Sequence, residues 1–148
     1  MSAATRAAAL VVLLVGLLTG CNSVVQYYED VDDLGKKIVA DWKELPEVTD
    51  ASYRYQHGID SGQQLDFEVV IRAESVSDEL IDKLKDIGSR DYWQSTAYDR
   101  GSMPLRFAAY SSDNPPPTQS GPDTAIHRAG LGVSKEVGLE KYGPRPTR

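Results

Sequence analysis

Two stretches of alternating polarity, separated by a turn signal, constrain this chain more than any other feature. Ala51, Tyr53, Tyr55 and His57 alternate with Ser52, Arg54 and Gln56. Leu65, Phe67, Val69, Ile71 and Ala73 alternate in the same way with Asp66, Glu68, Val70 and Arg72. Residues two apart share one side of a strand, so both segments read as strands with one buried and one solvated side. Between them Asp60, Ser61 and Gly62 suit a three-residue hairpin loop, because Gly62 can take the left-handed conformation of a G1 bulge. That loop sets Tyr55 opposite Phe67, Tyr53 opposite Val69 and Arg54 opposite Glu68, which makes one side apolar and the other charge-paired.

The flanking segments have helical spacing. Val24, Tyr27 or Tyr28, Val31, Leu34, Ile38, Val39, Trp42 and Leu45 recur every three or four residues, which predicts an amphipathic helix ending before Pro46. Ser75 or Ser77 can cap a second helix with Val76, Leu80, Ile81, Leu84 and Ile87 on its apolar face. Asp78 and Glu79 fall in its first turn, where the helix dipole favours acids, and Gly88 reads as its stop. After a segment holding Tyr92 and Trp93, the alternation of Leu105, Phe107 and Ala109 behind Pro104 predicts a third strand.

The order α-β-β-α-β predicts an α+β fold: a small two-layer sandwich in which two helices cover a mainly antiparallel sheet of three to four strands. Residues 111–121 (SSDNPPPTQSG) are polar and proline-rich with nothing to bury, a linker that leaves open whether the chain beyond them docks on the domain. There, residues 124–128 read as an edge strand and residues 134–142 as a short helix closed by Gly143 and Pro144. The expected divisions are a leader at 1–20, a tether or helix start at 21–29, an α+β domain at 30–112, a linker at 113–122 and a C-terminal segment at 123–148.

The leader has its own logic. Residues 1–6 carry one positive charge, and residues 7–18 (AAALVVLLVGLL) are uncharged and apolar, the layout of a signal peptide. At ~1.5 Å of rise per residue a helix of that length falls short of a ~30 Å hydrocarbon core. Leu18, Thr19, Gly20 and Cys21 follow, and this L-T-G-C run resembles the lipobox of bacterial lipoproteins. The resemblance implies recognition of Leu18, Thr19 and Gly20 by a signal peptidase, cleavage before Cys21, and acylation of the Cys21 sulfur. Cys21 is the only cysteine in the chain, so no internal disulfide competes for it. Two acyl chains at ~0.8 kcal/mol per buried CH₂ anchor stably, which places the domain on a cell membrane, facing outside the cytoplasm. A second resemblance rests on Trp93-Gln94-Ser95 and on the run from Leu139 through Tyr142, Gly143 and Pro144 to Arg145 and Pro146. These are similar to small actinobacterial lipoproteins of uncharacterised function, a likeness that implies no activity.

Charge and motif content remove most function classes. The net charge is −6, and cleavage removes Arg6 without removing an acid, so nucleic acid is an unsuitable partner. His57 and His127 stand far apart without a nearby cysteine, which excludes a compact nitrogen and sulfur zinc site. His57 continues the apolar side of its strand and reads as a partly buried residue near the hairpin end. Asp30, Asp32, Gly35 and Asp41 have EF-hand spacing, but Leu34 offers no oxygen and Lys37 stands where an apolar residue belongs, so a solvated acidic helix face is expected. Residues 130–135 have the wrong spacing for a phosphate loop, and there is no G-x-S-x-G elbow. Asp66 and Glu68 share a strand side at ~7 Å, within the reach of a glycosidase pair, yet Arg54 and Arg72 can neutralise that side.

The expectation is therefore a non-enzymatic chain with no cofactor and no metal. Tyr92 and Trp93 are its candidate interaction surface, provided they are exposed. The partner class is another envelope protein or peptide. The alternative is a small solute or hard cation held at Glu29, Asp30, Asp32 and Asp33, close to the anchor.

Overall fold

The computed structural model describes residues 26–58, 62–118 and 121–146; the lipobox positions Leu18, Thr19, Gly20 and Cys21 lie outside them. The first helix, α1 (Glu29–Lys43), buries Val31, Leu34, Ile38 and Trp42 along one stripe. Gly35 belongs to the same stripe because the Tyr53 ring lies flat against it, and a Cβ there would come within 2.4 Å of Tyr53 Cδ2.

The alternating segments form β1 (Val48–Gly58) and β2 (Gly62–Ile71), paired antiparallel. Their register corrects the expected one: Tyr53 faces Phe67, Tyr55 faces Leu65, and Arg54 faces Asp66. Asp60 and Ser61 of the expected loop lie outside the described residues; Gly62, its third expected member, faces Gly58 and opens β2 with φ 61°. The whole pairing is displaced by two residues, which leaves every side chain on its expected side.

Ser77 caps α2 (Asp78–Gln94), its Oγ accepting from the Leu80 N–H at 3.2 Å. Gly88 does not stop this helix, contrary to the sequence expectation. Leu131 packs directly on Gly88, where a Cβ would meet Leu131 Cδ1 at 2.8 Å, so the missing side chain serves close approach. A short 3-10 turn (Thr96–Arg100) leads to β3 (Leu105–Ser111), which returns parallel to β2 with Leu105 beside Leu65. The fourth strand, β4 (His127–Gly130), pairs antiparallel with β3 and lies a few residues later than the expected edge strand. The sheet order is β1-β2-β3-β4, an α+β sheet with two antiparallel pairings and one parallel.

Both long helices lie on one side of this sheet. Trp42 is fully buried between them and the strands, its ring centroid 5.5 Å from that of Phe67 and 5.7 Å from that of Phe107. No helix among the described residues is long and apolar enough to cross a membrane.

The C-terminal segment, whose docking the sequence leaves open, is docked. Leu131 is wholly buried, and α3 (Lys135–Tyr142), capped by Ser134, lies against the end of α2. The Trp93 indole N–H donates to the Gly143 carbonyl at 2.9 Å, and the Gln94 amide donates to the Tyr142 carbonyl at 3.1 Å. Gly138 sits under the Trp93 ring, where a Cβ would fall 2.5 Å from Cδ2. Replacing it by valine overfills that contact, so Gly138→Val is expected to lower stability by about 2 kcal/mol. Urea unfolding followed by tryptophan fluorescence checks this, and an unchanged midpoint would mean that α3 does not pack there.

Candidate functional site

Because the helices cover one side of the sheet, the other carries the chain's candidate site. Alternation places Ser52, Arg54 and Gln56 of β1 on it, with Gln64, Asp66 and Glu68 of β2, Arg106, Ala108 and Tyr110 of β3, and Arg128 and Gly130 of β4. Strand register orders these into rows. Arg54, Asp66, Arg106 and Gly130 stand side by side, and Ser52, Glu68, Ala108 and Arg128 form the next row. Arg106 thus stands between Asp66 and Gly130, and Arg128 stands beside Ala108. The result is an open groove of about 560 Å³ that includes Ala108 and Gly130 in its lining.

The charges in the groove are unequally satisfied. Asp66 accepts from the Gln56 amide at 2.7 Å and from the Gln64 amide at 2.8 Å, with Arg54 at 3.6 Å. Arg128 is held by Asp123 at 2.6 Å and lies 3.5 Å from the Tyr110 hydroxyl. Among the described residues Arg106 and Glu68 form no ion pair or side-chain hydrogen bond, although both line the groove. The expected charge ladder is thus half right: Asp66 is tied down and Glu68 is not. Arg72, the other expected neutralising residue, instead donates its Nε to the Pro46 carbonyl at 2.9 Å.

Tyr92 and Trp93, the expected interaction surface, are 5 % and 1 % exposed, and that expectation is corrected. They fall inside α2 because the helix runs past Gly88, and the 3-10 turn and α3 close over them. Tyr98 packs edge-on against Trp93 at 4.9 Å, and the Arg145 guanidinium stacks 4.6 Å over Tyr98.

The histidines occupy opposite edge strands, His57 on β1 and His127 on β4. The His57 ring lies 4.9 Å from Tyr55, and the His127 ring 5.7 Å from Phe107. They do not share a site.

Of the four acids expected to hold a solute or cation, Asp30, Asp32 and Asp33 are partnered and Glu29 is exposed. α1 runs unbroken through it. Asp30 meets Arg100 at 2.7 Å and the Thr96 hydroxyl at 3.1 Å. Asp32 meets Lys36 at 2.7 Å and the Tyr53 hydroxyl at 2.9 Å, and Asp33 meets Lys36 at 3.2 Å. The Lys36 contact dominates in holding Asp32 below the usual carboxylate range. Burial, with the bond to Asp32, pushes the Tyr53 hydroxyl up to about 12.

Sequence reasoning missed Asp91, which is 2 % exposed at the α1–α2 contact. Arg90 reaches it at 2.9 Å and Lys37 at 3.6 Å, and both also pair with Asp41 at 2.8 Å. Burial holds the Asp91 pKa above the ordinary carboxylate value against the pull of Arg90. The signal was its place one turn from Ile87 on the buried side of α2, which is visible only once the helix is extended past Gly88.

Asp30 gives a measurable consequence. Burial pushes its pKa up, but hydrogen bonds from Arg100 and Thr96 and the Arg100 charge together leave it below its ordinary value of 3.8. A carboxylate with a lowered folded pKa contributes stability above its unfolded pKa and loses it as pH falls through the folded one. Asp30→Asn is therefore expected to cost about 0.5–1 kcal/mol at pH 7. The difference from the parent should close as pH falls below about 4. Thermal or urea unfolding across pH 2.5–7 checks this, and a gap that persists undiminished at the acid end would refute it.

The chain matches no protein-family model, no curated protein and no solved structure.

Proposed function

We propose that this chain is a cell-envelope lipoprotein, cut before Cys21 and acylated there, whose domain is a non-catalytic module that binds a peptide segment of another envelope protein across the uncovered side of its sheet. The observation that carries the binding reading is the groove over Ala108 and Gly130, in which a guanidinium, Arg106, and a carboxylate, Glu68, lack partners among the described residues. Exposed charges of both signs over a small-residue floor suit an extended polypeptide, which can offer opposite charges and backbone amides a few ångströms apart. Sequence supports the anchoring half: a short apolar leader, the lipobox-like run ending in Cys21, and no second cysteine. The cation reading loses ground, because three of the four carboxylates it needs, Asp30, Asp32 and Asp33, are engaged by Arg100 and Lys36.

A photo-crosslinking residue in place of Arg54, at the groove rim, tests the binding reading in cells. The expected outcome is one defined adduct, lost several-fold when Arg106→Glu is added. An adduct pattern indifferent to Arg106→Glu, or no adduct at all, would refute it. Intact-mass measurement of the membrane-extracted protein tests the anchor separately: a diacylglyceryl mass on Cys21 is expected, and a free thiol there would refute it.

A further inference from the structure

The strands define a near end and a far end. β1 reaches the near end at Gly58, beside Gly62, and β3 starts there, with the Leu65 N–H donating to the Pro104 carbonyl at 3.1 Å. The far end lies at Val48, Ile71 and Ser111, which are neighbours in the sheet. Nine steps of β2 at ~3.3 Å separate the two ends by roughly 30 Å.

The first described residues are fixed at the near end. The Gln26 carbonyl accepts from the Gln63 amide at 2.9 Å, and the Tyr28 N–H donates to the Tyr55 hydroxyl at 3.1 Å. The Arg100 guanidinium lies 3.7 Å over the Tyr28 ring and pairs with Asp30, which locks the entry to α1. Only residues 22–25 separate Gln26 from Cys21, so the span from Cys21 to Gln26 is at most ~18 Å even when fully extended.

We infer that the near end, carrying Tyr27, Tyr28, Gln63 and Arg100, rests on the headgroup layer of a phospholipid bilayer without net charge, with the strand axis leading away from the membrane. This rests on the acylation of Cys21. An acylated sulfur sits at the hydrocarbon boundary, and headgroups occupy ~5–8 Å beyond it, so the tether leaves at most about 12 Å between Gln26 and the headgroups. Far-end contact would require the domain to invert on a chain shorter than its own ~30 Å length. Tyr27 is 52 % exposed and leans on the Tyr55 and His57 rings, presenting an amphipathic ring of the kind that settles at bilayer interfaces. The neighbouring polar groups are neutral amides and the closed Asp30–Arg100 pair, while Glu29 adds an exposed negative charge. A neutral lipid surface therefore fits better than an anionic one.

The acylated protein beginning at Cys21, in phosphatidylcholine vesicles, provides the test. A thioether at Cys21 does not react with thiol reagents, so a cysteine introduced by Ser102→Cys or by Asn114→Cys is the only free thiol. Ser102 is exposed just ahead of β3 at the near end, and Asn114 bridges to Ser111 at the far end. Each is labelled with a fluorophore and quenched by lipid carrying a nitroxide on its headgroup. Quenching at Ser102 is expected to exceed that at Asn114 several-fold. Equal or reversed quenching on protein shown by mass to be acylated would overturn the orientation alone. Protein without the acyl mass would overturn the anchor and the orientation together.

Discussion

Trp42 joins the two helices to the sheet through a single buried group. Its indole N–H donates to the Leu84 carbonyl of α2 at 2.9 Å, and its ring lies against Phe67 of β2 and Phe107 of β3. A buried donor left without an acceptor costs about 1–3 kcal/mol, so the bond strongly favours this one placement of α1 against α2. The parallel pairing of β2 with β3 follows the same geometry, because α2 is the crossover between them and must lie on the side where Trp42 is buried. One side of the sheet is consequently filled by aromatic and branched side chains. The other is left to polar residues and the groove.

Local pattern carried much of this and stopped at definite places. Alternation assigned the two sides of β1 and β2 correctly because side-chain direction has a period of two, and the two-residue displacement of register is invisible to that period. Helical spacing placed Val31, Leu34, Ile38 and Trp42 on one stripe, but it could not say why Gly35 lies among them. Gly35, Gly88 and Gly138 are positions where another element touches the helix backbone, namely Tyr53, Leu131 and Trp93. A glycine in a helical pattern reads as a stop when only neighbours in sequence are considered. The partner of Gly88 lies 43 residues further along the chain, beyond the proline-rich segment. The burial of Tyr92 and Trp93 has the same origin.

The candidate site was legible to the same depth. Arg54, Asp66 and Glu68 belong to one hairpin, so their common side could be read from sequence. Arg106 and Arg128 join them only through a parallel crossover and a fourth strand, whose registers depend on how α2 and Leu131 pack rather than on any local motif. The chain as a whole is acidic, but on α1 Asp30, Asp32, Asp33 and Asp41 meet lysines and arginines supplied from α1 itself, from α2 and from the 3-10 turn. Strong net charge therefore does not make a strong binding site here. Arg106 and Glu68 differ from other unpaired surface charges in lining a common groove.

The proposed anchor at Cys21 and the groove would be linked by the same strands. Arg106 stands in the row of Asp66, four steps along β2 from Gly62, so it lies ~13 Å above the end of the domain where Gln26 is fixed. With Cys21 acylated as proposed, a groove at that height would meet segments that emerge from the same membrane more readily than free solutes, because both would be confined to a thin layer and their effective concentration would rise accordingly. Confinement also reduces the affinity that each contact must supply. On that proposal, an open groove in which Arg106 and Glu68 lack partners among the described residues need supply only the modest affinity that a partner held at the same surface requires.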